Sequence, residues 1–367
     1  MIRRLICFVL PLILLSGCAP SYRIENQAHA VSMGIDLDGG IMTVIVQVPN
    51  LGAASKKEGG TESSNYQIYT AQAENFEIAY NILQSTLPQQ LNLTHLKTIV
   101  VSRAFAQSDL FKKTIDTFMN VFLVTGSANM VVTEKSAKLM IENQKPHIGI
   151  RLSITIPSML SYHAQNGYIP LCTLSKLYAG LKGRYSTALC PLSDTGDDQS
   201  KKDDPFMPGS IPREGDNKNE YMGAALFDRL KMVGTFSGYE MQMAYFLKDE
   251  GDRICDFASP IAMRLSTRKK REAEIKIEGD EVRIKVTLHL DVATLFGQTD
   301  LKAIEENLKR DFENVINKCK ALGIEPFGFA QSAAKEFKDN RSFEDFDWLS
   351  KFRNAKIDLN IRLNSEN

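Results

Sequence analysis

Val282-Arg283-Ile284-Lys285-Val286-Thr287-Leu288-His289-Leu290 decides the fold class of this chain. Apolar and polar residues alternate without a fault. A period of two places all the apolar side chains on one face of an extended strand. The stretch therefore reads as a β-strand with one buried face and one wet face, His289 on the wet one. Glu278-Gly279-Asp280 before it is a turn, and residues 273–277 supply the other arm of a hairpin. Beyond it, Leu301, Ile304, Leu308, Phe312, Val315, Cys319 and Leu322 recur at helical spacing, and Gly323 is the stop. Ile357, Leu359, Ile361 and Leu363 alternate again. Hairpin, long helix and closing strand predict an α+β domain over 266–364, a helix laid on a mostly antiparallel sheet.

Toward the N-terminus, residues 31–48 read as a strand pair turning at Gly39-Gly40 and stopped by Pro49. Residues 51–65 are rich in Gly, Ser, Lys and Glu and read as a mobile loop. Phe76, Tyr80, Leu83 and Leu87 predict a helix over 70–87 that Pro88 ends. Residues 97–102 form a buried strand. Ser108 is read as the cap of a helix carrying Leu110, Phe111, Ile115, Phe118 and Phe122. A strand at 130–132 and a short helix at 138–142 follow. This alternation predicts an N-terminal α+β domain over 18–190, with helices packed on mixed or antiparallel sheets.

Residues 193–204 are almost wholly polar, and Pro205, Pro208, Gly209 and Pro212 follow. Such a stretch buries too little apolar area to offset its ordering entropy, so 191–220 is expected as a polar linker or a long exposed hairpin. A small middle domain is expected over 221–265: a strand at 222–227, a helix opened by a Ser237/Glu240 capping box, and a strand at 254–265 with Pro260 at an edge or a bulge.

At the start, Arg3 and Arg4 precede an apolar run over 5–15 and then Leu15-Ser16-Gly17-Cys18. A positive start, a short apolar core and small residues before a cut make a secretory signal. The run is about 11 residues, whereas a transmembrane helix needs about 20. The last four residues resemble the bacterial lipobox, which implies that 1–17 is a signal peptide, cleaved between Gly17 and Cys18, with a diacylglyceryl thioether on Cys18.

Forty-four Lys plus Arg balance 44 Asp plus Glu. A net charge of zero argues against a nucleic-acid binder, which needs a basic face. The local basic block Arg268-Lys269-Lys270-Arg271 suits either anionic headgroups or a solvated strand end. His29, His95, His147, His163 and His289 stand outside any metal-ligating spacing, and no phosphate-binding or dinucleotide-binding glycine motif occurs. Gly234-Thr235-Phe236-Ser237-Gly238 has the wrong spacing for a nucleophile elbow. Glu344, Asp345 and Asp347 interleave with Phe343, Phe346 and Trp348, which reads as an aromatic-anchored turn. No catalytic residue, metal or cofactor is predicted. Cys172 and Cys190 are left open between a disulfide and two buried thiols.

Three stretches resemble the Ger(x)C family, the C-subunit lipoproteins of spore germinant receptors. The first is the lipobox cysteine, then residues 23–28 and Met33-Gly34-Ile35-Asp36. The second is Leu226-Phe227-Asp228-Arg229-Leu230-Lys231-Met232-Val233-Gly234, then Glu240. The third is Gly323-Ile324-Glu325-Pro326-Phe327-Gly328-Phe329-Ala330, then Trp348 and a closing strand. Ala19-Pro20, Glu325-Pro326 and Ala330 depart from the family pattern. The resemblance implies an elongated multi-domain lipoprotein on the outer face of the inner spore (cytoplasmic) membrane. It further implies a non-enzymatic role beside integral-membrane A and B subunits, with structural roles for Gly34, Asp36, Phe227, Gly234, Glu240, Gly323, Gly328 and Trp348. It assigns no nutrient contact. The competing expectation is a substrate-binding lipoprotein that delivers a small solute to a transporter, which requires a cleft with convergent polar groups.

Overall fold

The computed structural model describes residues 26–49, 66–122, 124–144, 152–183, 187–195, 204–210, 218–248, 254–257, 262–294 and 300–365. The signal segment with Gly17 and Cys18, and the loop expected at 51–65, lie outside them.

In chain order the first half comprises β1 (Gln27–His29), β2 (Ser32–Asp38), β3 (Ile41–Pro49), β4 (Tyr66–Ala73), α1 (Phe76–Thr86), β5 (Gln90–Asn92), β6 (Thr98–Ser102), α2 (Arg103–Ala106), α3 (Leu110–Asn120), β7 (Asn129–Thr133), α4 (Ala137–Glu142), α5 (Leu152–Gln165), α6 (Leu174–Lys182) and β8 (Leu189–Thr195). The second half comprises β9 (Asn219–Phe227), β10 (Met232–Phe236), α7 (Gly238–Leu247), β11 (Ile254–Phe257), β12 (Met263–Glu278), β13 (Glu281–Thr294), α8 (Leu301–Leu322), α9 (Phe329–Ala333), α10 (Asn340–Asp345), α11 (Trp348–Asn354) and β14 (Lys356–Ser365).

A mixed eight-stranded sheet in the order β10-β9-β8-β7-β6-β2-β3-β4 organises the first half. Its central pairs β2–β6, β6–β7 and β7–β8 are parallel, and the outer pairs are antiparallel. Thr98-Ile99-Val100-Val101-Ser102 is buried throughout, as a strand covered on both faces must be. One face packs under α1, α2, α3 and α6 through Phe76, Phe105, Phe111, Phe118 and Leu177. The other packs under α4 and α5 through Met140, Ile141, Ile156 and Leu160. The smaller sheet, β11-β12-β13-β14, carries α8 on one face. β12 runs antiparallel to β11 and β13, while β14 returns parallel to β13 after the α8 crossover.

Several local expectations change. Residues 70–73 finish β4 rather than start a helix, because Tyr66–Ala73 pairs along β3 and the Gln72 amide donates to Thr43 Oγ1 at 3.2 Å. The helix α1 starts at Phe76, with Asn75 Oδ1 accepting from Ile78 N at 2.9 Å. Ser108 caps nothing: its hydroxyl donates to the Phe105 carbonyl at 2.7 Å, turning α2 into α3. Residues 254–257 and 263–265 belong to two paired strands; Pro260 lies outside the described residues.

Residues 191–220 begin in β8 and end in β9. β8 and β9 pair antiparallel across them, so they connect neighbouring strands of one sheet. Ser193, Asp194 and Thr195 are buried despite being polar. Ser193 Oγ donates across the sheet to Val132 O at 3.1 Å, and Asp194 Oδ1 accepts from Thr195 N at 2.8 Å. Residues 204–210 pack as well, with Gly238 N donating to Phe206 O at 2.8 Å. The expected middle domain over 221–265 is divided: β9 and β10 extend the large sheet, and β11 joins the small one. His289 is buried rather than wet. Its strand lies between β12 and β14, whose Lys269 and Arg362 stand in register with it, and Glu272 Oε1 meets His289 Nε2 at 3.2 Å.

The short parallel pair β1–β5 brings His29 edge-on to His95, ring centroids 4.7 Å apart. Burial, and then the His95 charge, hold His29 below the ordinary histidine value. A base held low contributes stability above its unfolded value and loses it as pH falls toward the folded one. Amide-exchange protection of Ala30, which donates to Asn92 O at 3.0 Å, is expected to fall as pH drops below about 6.5. Leucine at position 29 should flatten that response.

Candidate functional site

The stretch 323–330 leaves α8 and meets the large sheet. Gly323 takes φ 70 at the helix end, where Ile324 N donates to Cys319 O at 3.0 Å and Gly323 N to Lys320 O at 3.1 Å. That pair of bonds closes a helix whose next residue must be left-handed. Glu325 follows, a residue only 1% exposed. Its two oxygens accept from Phe327 N at 2.6 Å and Ala330 N at 2.8 Å. Glu325 N donates to Thr187 Oγ1, 3.1 Å away at the edge of β8. Burial pushes the Glu325 carboxyl up, against the loop N–H groups and Arg271, which favour its charge.

Arg271 completes the loop. Its guanidinium donates to the carbonyls of Leu247 and Phe327, the latter at 3.0 Å, and lies 4.7 Å over the Phe329 ring. The basic run 268–271 thus divides: Arg268, Lys269 and Lys270 are exposed, and Arg271 turns inward. Register shifts on both sides of Lys269 make the turn, since an extra residue redirects the side chains that follow. Gly328 takes φ 83, and a Cβ there would meet nothing within 4 Å.

The other motif residues stand at packing points. Asp36 accepts from Ser136 Oγ (2.8 Å), Ala137 N (2.6 Å) and Lys138 N (3.0 Å), fixing the start of α4 against β2. A Cβ on Gly34 would sit 2.8 Å from Ile141 Cδ1, and one on Gly234 2.8 Å from Leu322 Cδ1. Phe227 stacks on Phe111 at 5.1 Å. Glu240 closes the capping box with Ser237, and its two oxygens also receive Lys318 Nζ at 2.7 Å. Trp348 is buried between Phe343 and Phe352, each at 6.3 Å, so Glu344, Asp345 and Asp347 ride on an aromatic-anchored turn.

These residues stand at separate packing points rather than around one reaction centre. Among the described residues no group of three His, Cys, Asp or Glu side chains could hold a metal ion. A cleft of about 640 Å³ opens beside the Gly328 loop, between α6, α7 and α9. Its described lining carries Lys176, Lys248, Arg271 and Lys335 and no carboxylate, with Leu171, Tyr245 and Phe327 as apolar wall. Thr187 was not singled out from sequence, and Arg271 entered only as one cation of the basic block expected at anionic headgroups or a solvated strand end. The inward turn of Arg271 depends on a bulge, which leaves no mark in a run of four cations.

Two substitutions probe the loop. Gly328→Ala meets no clash, so its cost is the left-handed backbone alone, about 1–2 kcal/mol, read by urea unfolding. Glu325→Gln leaves one acceptor oxygen where two N–H groups point. It should cost about 1–3 kcal/mol by the same measure. A neutral Glu325→Gln variant would contradict the two-oxygen clamp.

Comparison with known proteins agrees with this architecture. Residues 21–194 match the model of the spore germination protein N-terminal domain, and residues 222–367 match that of the spore germination B3/GerAC-like C-terminal domain. The putative spore germination protein YfkR of Bacillus subtilis (strain 168) is 18% identical over 391 residues, covering 95% of this chain and 93% of that protein. The crystal structure of the GerBC protein shares the fold with a TM-score of 0.52 at 15% identity, covering 91% of this chain and 97% of that one. Two family domains matched in order across one multi-domain α+β chain place it in the Ger(x)C family of spore germination proteins.

Proposed function

We propose that this spore germination protein is the lipid-anchored C subunit of a nutrient germinant receptor, acting by binding rather than by turnover. In this reading it docks with the integral-membrane A and B subunits on the outer face of the inner spore membrane. The observation that carries it is the match of both germination domains, in order, over nearly the whole chain. Among the described residues no helix is long and apolar enough to cross a membrane. In this reading the membrane address falls to Cys18. Two acyl chains, at about 0.8 kcal/mol per buried methylene, anchor stably where one does so marginally. The tether also turns docking into an intramolecular event, raising avidity by about 10²–10⁴.

The cationic cleft favours a second reading, capture of a small anionic solute, because its volume lies within the usual range for ligand sites. Titration calorimetry of the protein with small carboxylates and phosphates separates the two. Saturable binding without membrane partners supports capture.

Two outcomes are expected of the receptor reading. The wild-type protein, solubilised gently from spore membranes, co-purifies with two integral-membrane proteins. Cys18→Ala shifts the protein from the membrane pellet to the soluble fraction and lowers the nutrient germination rate in parallel. A Cys18→Ala protein that still sediments with membranes, in spores that germinate normally, would sink the anchoring role.

A further inference from the structure

Cys172 and Cys190 bring their sulfur atoms to 2.9 Å. Cys172 lies just before α6, and its carbonyl accepts from Met130 N at 2.9 Å while Thr173 bridges Asn129. Cys190 is the second residue of β8. Backbone pairing therefore positions both sulfurs, and neither rides on a free loop. Both side chains are buried in the core of the large sheet. Non-bonded heavy atoms pack at about 3.5–4.0 Å, and a disulfide closes at about 2.05 Å. These sulfurs have passed the first distance and stand close to the second.

We propose that Cys172 and Cys190 form a disulfide in the mature protein. Cys255 and Cys319, in the separate core of the small sheet, remain thiols. The inference rests on the exported location proposed above, because disulfides persist outside the reducing cytosol. The oxidant is a thiol oxidase carrying its own reactive disulfide. One cysteine thiolate attacks a sulfur of that disulfide and expels one oxidase thiolate. The second cysteine thiolate attacks the protein sulfur of the mixed disulfide and expels the other. The pair loses two protons and two electrons, and the oxidase leaves as a dithiol. Burial raises the Cys190 thiol well above its ordinary value and shuts out a protein oxidant. Exchange therefore precedes the docking of β8, and the closed bond is then shielded. The loop it closes contains α6 and Thr187, whose hydroxyl receives Glu325 N. The bond thus braces the strand on which the 323–330 loop rests.

The full lipidated protein, taken from membranes into acid and then denaturant, is treated with iodoacetamide before or after reduction, and its peptides are weighed. The expected result is a linked Cys172–Cys190 peptide pair, about 2 Da lighter than the dithiol. It takes up label only after reduction, whereas Cys255 and Cys319 are labelled either way. Melting with a reductant should lower Tm by roughly 5 °C or more, and a C172A/C190A double variant should show no such dependence. Free Cys172 and Cys190 in the membrane-anchored protein would overturn the disulfide and leave the receptor reading standing. A linked pair in a protein that brings down no membrane partners would keep the disulfide and sink the receptor reading.

Discussion

Glu325 places a carboxylate in the interior at the junction of the two sheets, and the surrounding geometry follows from satisfying it. A buried polar group without partners costs several kcal/mol. Here the chain turns back so that Phe327 N and Ala330 N each reach one oxygen. The turn needs left-handed backbone at Gly323 and Gly328, where φ is 70 and 83. It also aims the Glu325 amide at Thr187 in the other half of the chain. Arg271 closes the remaining side, bonding carbonyls on both flanks and covering the Phe329 ring.

The same junction explains why the family motifs lie far apart in sequence. Leu189, Ala224, Leu226 and Phe236 come from the large sheet, yet they pack with Phe312, Val315 and Cys319 of α8 in one core. Gly234 has no side chain because Leu322 occupies that space. Glu240 holds Lys318 across the same boundary. A substitution at any of these positions acts on the seam between the sheets. That is a sufficient physical reason for these residues to recur as motifs.

The elements most legible in the sequence are those whose pattern depends on one neighbour. The stripe of Leu301–Leu322 and the Ser237/Glu240 capping box needed only local geometry. The strand at 282–290 was equally clear, but the fate of His289 was not, because it depends on side chains of the neighbouring strands, Glu272 among them. Residues 70–73 follow helical spacing and still extend β4, since pairing with β3 outweighs propensity. The polar run at 193–195 read as a linker because its burial depends on partners such as the Val132 carbonyl, which lies 61 residues away in sequence. Of the candidate site, Gly323 and Gly328 were visible as turn residues. Arg271 and Thr187 were not, because a bulge and a cross-domain contact set their roles.

Recognition is spread more thinly than structure on this chain. The exposed large apolar residues are scattered: Ile78 and Ile82 share α1, Ile154 and Tyr162 share α5, and Val121 and Leu230 lie between elements. Single exposed apolar residues are ordinary on a soluble surface and mark no interface by themselves. On the proposed reading that is no obstacle. A subunit held by lipid beside its partners needs little affinity per contact, because the tether supplies the effective concentration that a large apolar interface would otherwise have to replace. Selection would then act hardest on the anchor and on the seam that keeps the body folded.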